Sequence, residues 1–188
     1  MDVEAEGNSK QLNRLVAVTV VILSVFMAVS KVKDDNIVQA MAKAKQESVD
    51  AWAEYQAARI KLHVDENSLS TLRLLETMGT FDKALAAKQA TEYEADIKKY
   101  EARSKETRAK AEGLEAEYDR LNFRDDQFDM SDAFLSIAVA LAAVAALTET
   151  FWLLAVAWGS GALGLMFGGA GFLGLNLRPE WLAQLLGT

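Results

Sequence analysis

The chain has no cysteine. That excludes disulfides, thiolate nucleophiles and zinc–thiolate centres, and it leaves the redox compartment open. There is one proline, Pro179, and only three glycines (Gly7, Gly79 and Gly113) precede residue 159. With both common helix breakers scarce, very long uninterrupted helices are permitted. His63 is the single histidine. One imidazole without a second His or a Cys makes a poor metal site, even with Asp65 and Glu66 beside it. Basic charge is also short: the net charge is -7 and the pI about 4.8, so nothing supplies a face for nucleic acid. No P-loop, dinucleotide fingerprint, nucleophile elbow or HExxH occurs.

What is present divides by charge. Residues 1–14 are polar and without periodicity, and are expected to form a tail. Leu15 to Ser30 carries no charge and is rich in Val, Ile and Leu. With Leu12 and a snorkelling Arg14 and Lys31, the run (15–31) approaches the ~20 residues of a bilayer-spanning helix. A cleaved signal peptide, with Ala28-Val29-Ser30 as its cleavage site, is the rival reading, and the acidic first residues oppose it. Residues 32–130 are dense in charge, with 124–132 (RDDQFDMSD) reading as a charged joint. The segments 131–148 and 150–177 are almost free of charge and read as two further membrane helices bent at Thr148-Glu149-Thr150. Trp152 and Trp158 are expected near an interface. Residues 178–188, with Trp181, Leu182, Leu185 and Leu186, read as a short amphipathic segment on the bilayer surface.

The charged region has a strong period. Positions 86, 90, 93, 97, 100, 104, 107, 111, 114, 118 and 121 hold apolar or small residues, Tyr93, Ile97, Tyr100, Leu114, Tyr118 and Leu121 among them. The steps alternate 4 and 3 without a slip, which is the 3.5-residue signature of a helix facing a partner helix. Upstream, Ile37, Met41, Ala44, Ser48, Ala51, Tyr55, Ala58 and Leu62 make a second, Ala-rich seam, and His63 to Ser68 is a candidate kink. Between the two, about 78–82, Gly79 suits a helix C-terminus and Thr80 an N-cap. The short connection predicts an antiparallel hairpin roughly 60–65 Å long, with Leu62 near Ile97. The expected fold is all-α: three transmembrane helices, plus a long antiparallel coiled-coil hairpin between the first and second.

Asp50-Ala51-Trp52-Ala53-Glu54-Tyr55-Gln56-Ala57, followed by Ile60-Lys61 and His63, resembles the W-x-x-YQA-x-x-IK-x-H signature of a bacterial membrane-protein family known only as domain of unknown function 4337. The resemblance implies a membrane helix, a helical hairpin carrying the motif, and an Ala-rich pair of membrane helices joined at an L-T turn, here Leu147-Thr148. The family's turn often carries basic residues, where this chain has Glu149 and Thr150. The resemblance implies no activity and no cofactor.

Candidate residues for chemistry read more simply as structure. Trp52 and Tyr55 at helical spacing are expected in hairpin packing, since such rings bury area and keep a polar tip. The many carboxylates of the heptad helix alternate with Lys and Arg as a solvated face. In the third membrane helix Ser160, Gly164 and Gly168 fall at i, i+4 and i+8, a groove that lets another backbone come close. A neighbouring copy's helix is the expected occupant. The sequence therefore predicts no enzyme. It predicts a membrane-anchored structural or accessory protein that forms a homo-oligomer or docks on a larger membrane complex. A small channel or transport component lined by the Ala- and Gly-rich helices is the alternative. Location is expected in the bacterial inner membrane. Plain Lys and Arg counts favour a cytoplasmic hairpin, but long loops escape that rule, and the family's basic turn points to a periplasmic one, which is the expectation adopted.

Overall fold

The computed structural model describes residues 2–79, 82–175 and 177, with side chains from Ser9 onward. Every regular element among them is α-helical: α1 (Asp2–Thr77), α2 (Lys83–Thr148) and α3 (Phe151–Leu173). Each contains a stretch long and apolar enough to cross a membrane. Contacts divide the chain into two compact units, one made of 1–41 with 119–188 and the other of 42–118.

Several sequence expectations need correction. Residues 2–14 are not a tail but the start of α1. Leu12 and Val16, one turn apart, are buried against Ala142, Ala145, Leu154 and Ala157. The charged joint 124–132 is unbroken helix inside α2. It contains no Gly or Pro, and Asp126, Gln127, Phe128, Met130 and Ser131 within it are buried. The candidate kink at 63–68 lies within unbroken helix. There the Ser68 hydroxyl donates to the Val64 carbonyl at 2.8 Å. The N-cap of α2 is Asp82, whose carboxylate accepts the Ala84 N–H at 2.9 Å. Thr80, expected in that role, and the amphipathic stretch 178–188 lie outside the described residues. Gly79 does close α1, at φ 73°. Gly174 closes α3 at φ 67°, its N–H reaching the Ala170 carbonyl.

In the first unit three helices meet, and burial follows the 3.5 period on each. On α2 Ser131, Leu135, Ala138, Ala142 and Ala145 are fully covered. Leu23 packs on Leu135 and Ala138. Phe134 stacks on Phe167 at 5.8 Å, and Phe172 lies edge-on to both Phe26 and Phe128. Trp158, expected near an interface, donates its indole N–H to the Thr19 hydroxyl of α1 at 2.9 Å. At the α2–α3 bend Glu149 takes φ 51°. Thr148 and Thr150 hydroxyls there donate to the Val144 and Thr148 carbonyls.

In the 42–118 unit the buried line on α1 is Ala44, Ser48, Ala51, Ala58, Leu62, Leu69 and Leu72. On α2 it is Ala86, Ser104, Thr107 and Ala111, with the other seam positions half-buried. The buried hydroxyls of Ser104 and Thr107 donate to carbonyls of their own helix, so the small seam leaves them satisfied. Contacts across the seam run in opposite sequence order: Trp52 with Glu115, Glu54 with Arg103, and Arg73 with Glu94.

Candidate functional site

The residues expected to pack the seam differ in depth. Leu62 is buried, while Trp52, Tyr55, Tyr93, Ile97, Tyr100, Leu114, Tyr118 and Leu121 are half-buried. The deep centre belongs to Ala, Ser and Thr, and the rings lean over its flanks. Trp52 lies edge-on to Tyr55 at 5.5 Å and donates its indole N–H to Glu115 at 2.8 Å. Lys61 and Lys99 flank the Tyr100 ring, and Lys45 stands over Tyr118. Ile97 shares a shallow hollow with Glu66, Leu69 and Arg73. It therefore sits about two turns nearer the helix turn than the expected pairing with Leu62. The rest of the motif faces outward: Gln56, Ala57, Ile60, Lys61 and His63 are exposed, with His63 hydrogen-bonded to Arg59 and Glu66.

Ser160, Gly164 and Gly168 form the groove foreseen from their spacing, but their own chain fills it. A Cβ on Gly164 would stand 2.7 Å from Leu135 Cγ and 3.1 Å from the Leu135 backbone N. One on Gly168 would meet Phe26 at 2.6 Å and Ser131 Oγ at 2.7 Å. Ser131 donates to the Gly164 carbonyl at 2.8 Å, and Ser160 to the Phe134 carbonyl at 2.7 Å. The expectation that a neighbouring copy occupies this face is thus corrected. Two small-residue helices that approach this closely gain van der Waals contact where lipid offers no competing hydrophobic drive.

A polar cluster that the sequence reading missed lies in the same unit. Ser30 and Asp34, one turn apart on α1, are buried in phase with Ile37 and Met41. Lys31 bonds Asp34 Oδ2 at 2.8 Å and approaches Asp35 at 3.5 Å. Facing them, α2 brings Asp125, Asp126 and Asp129. Burial, then a hydrogen bond with Asp34, then the charges of Asp34, Asp129 and Asp126, push the Asp125 carboxyl up to about 7. Asp129 is raised by burial and by Asp34, against the pull of Lys31. Two carboxylates are both acceptors, so they bond only when one carries a proton. The chemistry this arrangement offers is holding a proton between α1 and α2. Ser30 Oγ, Asp34 Oδ1 and Gln127 Oε1 are buried without a hydrogen-bond partner among the described groups. The Gln127 amide donates to the Leu175 and Leu177 carbonyls, and Arg124 to Gly171, so this stretch of α2 also fastens the end of α3. The signal that could have found the cluster is Asp34 falling on a buried 4–3–4 line (30, 34, 37, 41). Among the described residues no group of three or more His, Cys, Asp or Glu is arranged to hold a metal ion.

Fold and site together define a class: an all-α protein of three long helices, each apolar enough over part of its length to cross a membrane. Within that class, the chain belongs to the family described as Domain of unknown function (DUF4337), whose model matches residues 12–174. No curated protein and no solved structure matches the chain.

Proposed function

We propose that this is a membrane-anchored structural or accessory protein of the bacterial inner membrane. Its 42–118 region stands outside the bilayer, on the periplasmic side, as an antiparallel coiled-coil hairpin, and copies of the chain assemble with one another or with a larger membrane complex. One observation carries the reading. Burial follows an alternating 4–3 line along both helices of that region, its most buried positions are Ala, Ser, Thr and Leu, and the hollows beside it are shallow and open. Such a surface suits helix–helix contact, and none of those hollows is enclosed. In the other unit the interior between the helices is occupied by side chains such as Leu135, Ala138, Ala142 and Leu154. That packing favours a structural role over the channel reading.

The test uses the full-length chain in lipid nanodiscs. Mass photometry should show assemblies larger than one chain, and liposomes carrying the protein should show no conductance above empty ones. Monomers across a wide concentration range, alone and with solubilised membrane added, would sink the assembly reading. Ion flux proportional to protein would favour the channel. Because the chain has no cysteine, Asp82→Cys can report sidedness: an impermeant maleimide applied to cells with a permeabilised outer membrane should label it. Labelling only after the inner membrane is broken would move the region to the cytoplasm.

A further inference from the structure

The side of α1 turned away from its buried line has its own order. Positions 42, 46, 49, 53, 56, 60, 63, 67, 70, 74 and 77 again alternate steps of 4 and 3. All are exposed, with Val49 at 57%, Ile60 at 64% and Leu74 at 63%. Residues 42–77 hold many Asp, Glu, Lys and Arg, and not one falls on this line. The equivalent line on the back of α2 differs, carrying Lys88, Lys98, Lys105 and Glu112. A solvated helix face has no reason to exclude charge over ten turns. A face that meets another helix of the same period does.

We propose that this face of α1 is the contact with α1 of a second copy, packed parallel and in register. The inference rests on the self-assembly proposed above and names its surface. Parallel packing follows because copies inserted in one membrane with one topology run the same way. In register, each position meets itself. Gln46, Gln56 and Asn67 then face their own kind, and an amide both donates and accepts, so it can pair with an identical amide. Lysine or a carboxylate there would meet like charge, which is what self-packing of α2 would impose at Lys98 and Lys105. The flanks agree. Lys45 on one edge of the line and Asp50 on the other lie five residues apart, the spacing at which parallel helices pair across a seam. Lys45 of each copy thus faces Asp50 of its partner, once on each side of the two-fold. The next pairs at that spacing, Trp52 with Ala57, Arg59 with Val64 and Glu66 with Thr71, include no like charges.

Cysteines placed in the cysteine-free full-length chain test this in membranes. Ala53→Cys and Ser70→Cys lie on the line, and Ala102→Cys lies on the back of α2. Under mild oxidation the first two should give disulfide-linked dimers at least tenfold faster than the third. Asp50→Lys should slow Ala53→Cys linkage severalfold, and adding Lys45→Asp should restore it, a rescue that a folding defect would not show. If Ala102→Cys links as fast as the other two while mass photometry still shows oligomers, the assigned face is wrong and self-assembly stands. If the protein is monomeric, both readings fall. If Ala53→Cys links to a chain of different mass, the occupant is another protein and the second-copy assignment is overturned.

Discussion

The two units share a period and differ in what fills it. In the 1–41 and 119–188 unit, α2 and α3 meet through Gly164 and Gly168, and serine hydroxyls donate to the opposite backbone. In the 42–118 unit, alanines fill the seam and charged side chains bridge its exposed edges. The difference follows from the solvent each sequence is suited to. Against lipid, burial of apolar surface drives little, so contact must come from close approach and hydrogen bonds. Against water, burying even a methyl helps, at ~25 cal/mol per Å2, while edge ion pairs add little.

That contrast can be broken from either side. The largest effect is expected from Gly164→Leu. Its side chain must displace Leu135 and backbone, which puts the overpacking cost at the upper end, ~3 kcal/mol or more. In detergent, the thermal transition of the full chain should fall, and a disulfide between cysteines placed on α2 and α3 should form more slowly. Gly159→Leu is the matched control, because a Cβ there meets nothing within 4 Å. Equal effects from the two would mean that the close approach is not what holds α2 to α3.

Leu62→Ala comes next, since Leu62 is 3% exposed. Truncating a buried Leu costs ~2–5 kcal/mol, and a narrow two-helix seam that can close up belongs at the low end. Ile97→Ala, at a half-buried site, should cost less. Circular dichroism melts of the two variants rank them, and the reverse order would show the seam to be misassigned near its outer end.

The carboxyl cluster predicts a pH dependence of stated sign. The Asp125 pKa in the folded chain is raised from 3.8 to about 7. Between those values the folded state therefore binds more protons than the unfolded state. Its contribution to stability is present below about pH 4 and is lost as pH rises through 7. Asp125→Asn should flatten the fall of the melting temperature between pH 5 and pH 8 and raise the value at the upper end. Asp129→Asn should do the same more weakly. A wild-type melting temperature that climbs over this range would contradict the assignment.

The smallest effect belongs to the edge. Arg103 bonds Glu54 at 2.9 Å and Glu106 at 3.2 Å, with about half of its side chain exposed. Arg103→Ala should cost less than ~1 kcal/mol and disappear in high salt. A larger loss would mean that these pairs, rather than the alanine seam, hold the unit.

The seams were legible because a 3.5-residue period leaves a direct trace: every heptad position from Ala86 to Leu121 is buried or half-buried, and so is every seam position from Ile37 to Leu62. The register between the seams was not legible. An alternating pattern matches itself after each heptad, so sliding one helix keeps small against small, and only pairs such as Trp52–Glu115 and Arg73–Glu94 mark the true offset. The role of 124–132 escaped for another reason. Its aspartates read as solvent-facing because their cover comes from Asp34 on α1, far away in sequence. The groove at Gly164 was visible, but its occupant was not. Spacing tells that a backbone comes close, whereas Ser131 and Leu135 decide whose it is.

The α2–α3 bend has a consequence for how the chain enters a membrane. From Ala133 to Leu177 the only ionisable side chain is Glu149, and it sits at the tip, held at φ 51° between two threonines whose hydroxyls serve helix-end carbonyls. With 42–118 on the periplasmic side as proposed, α2 runs inward and this carboxylate stays on the cytoplasmic side, so a pair of helices already pressed together at Gly164 can insert without any ionisable side chain entering the hydrocarbon. A charge at the centre of a spanning helix opposes insertion by ~2.5–3.5 kcal/mol, whereas one at a tip remains in water. The turn thus keeps the one charge of the pair out of the hydrocarbon, and Glu149→Gln would leave its insertion unchanged.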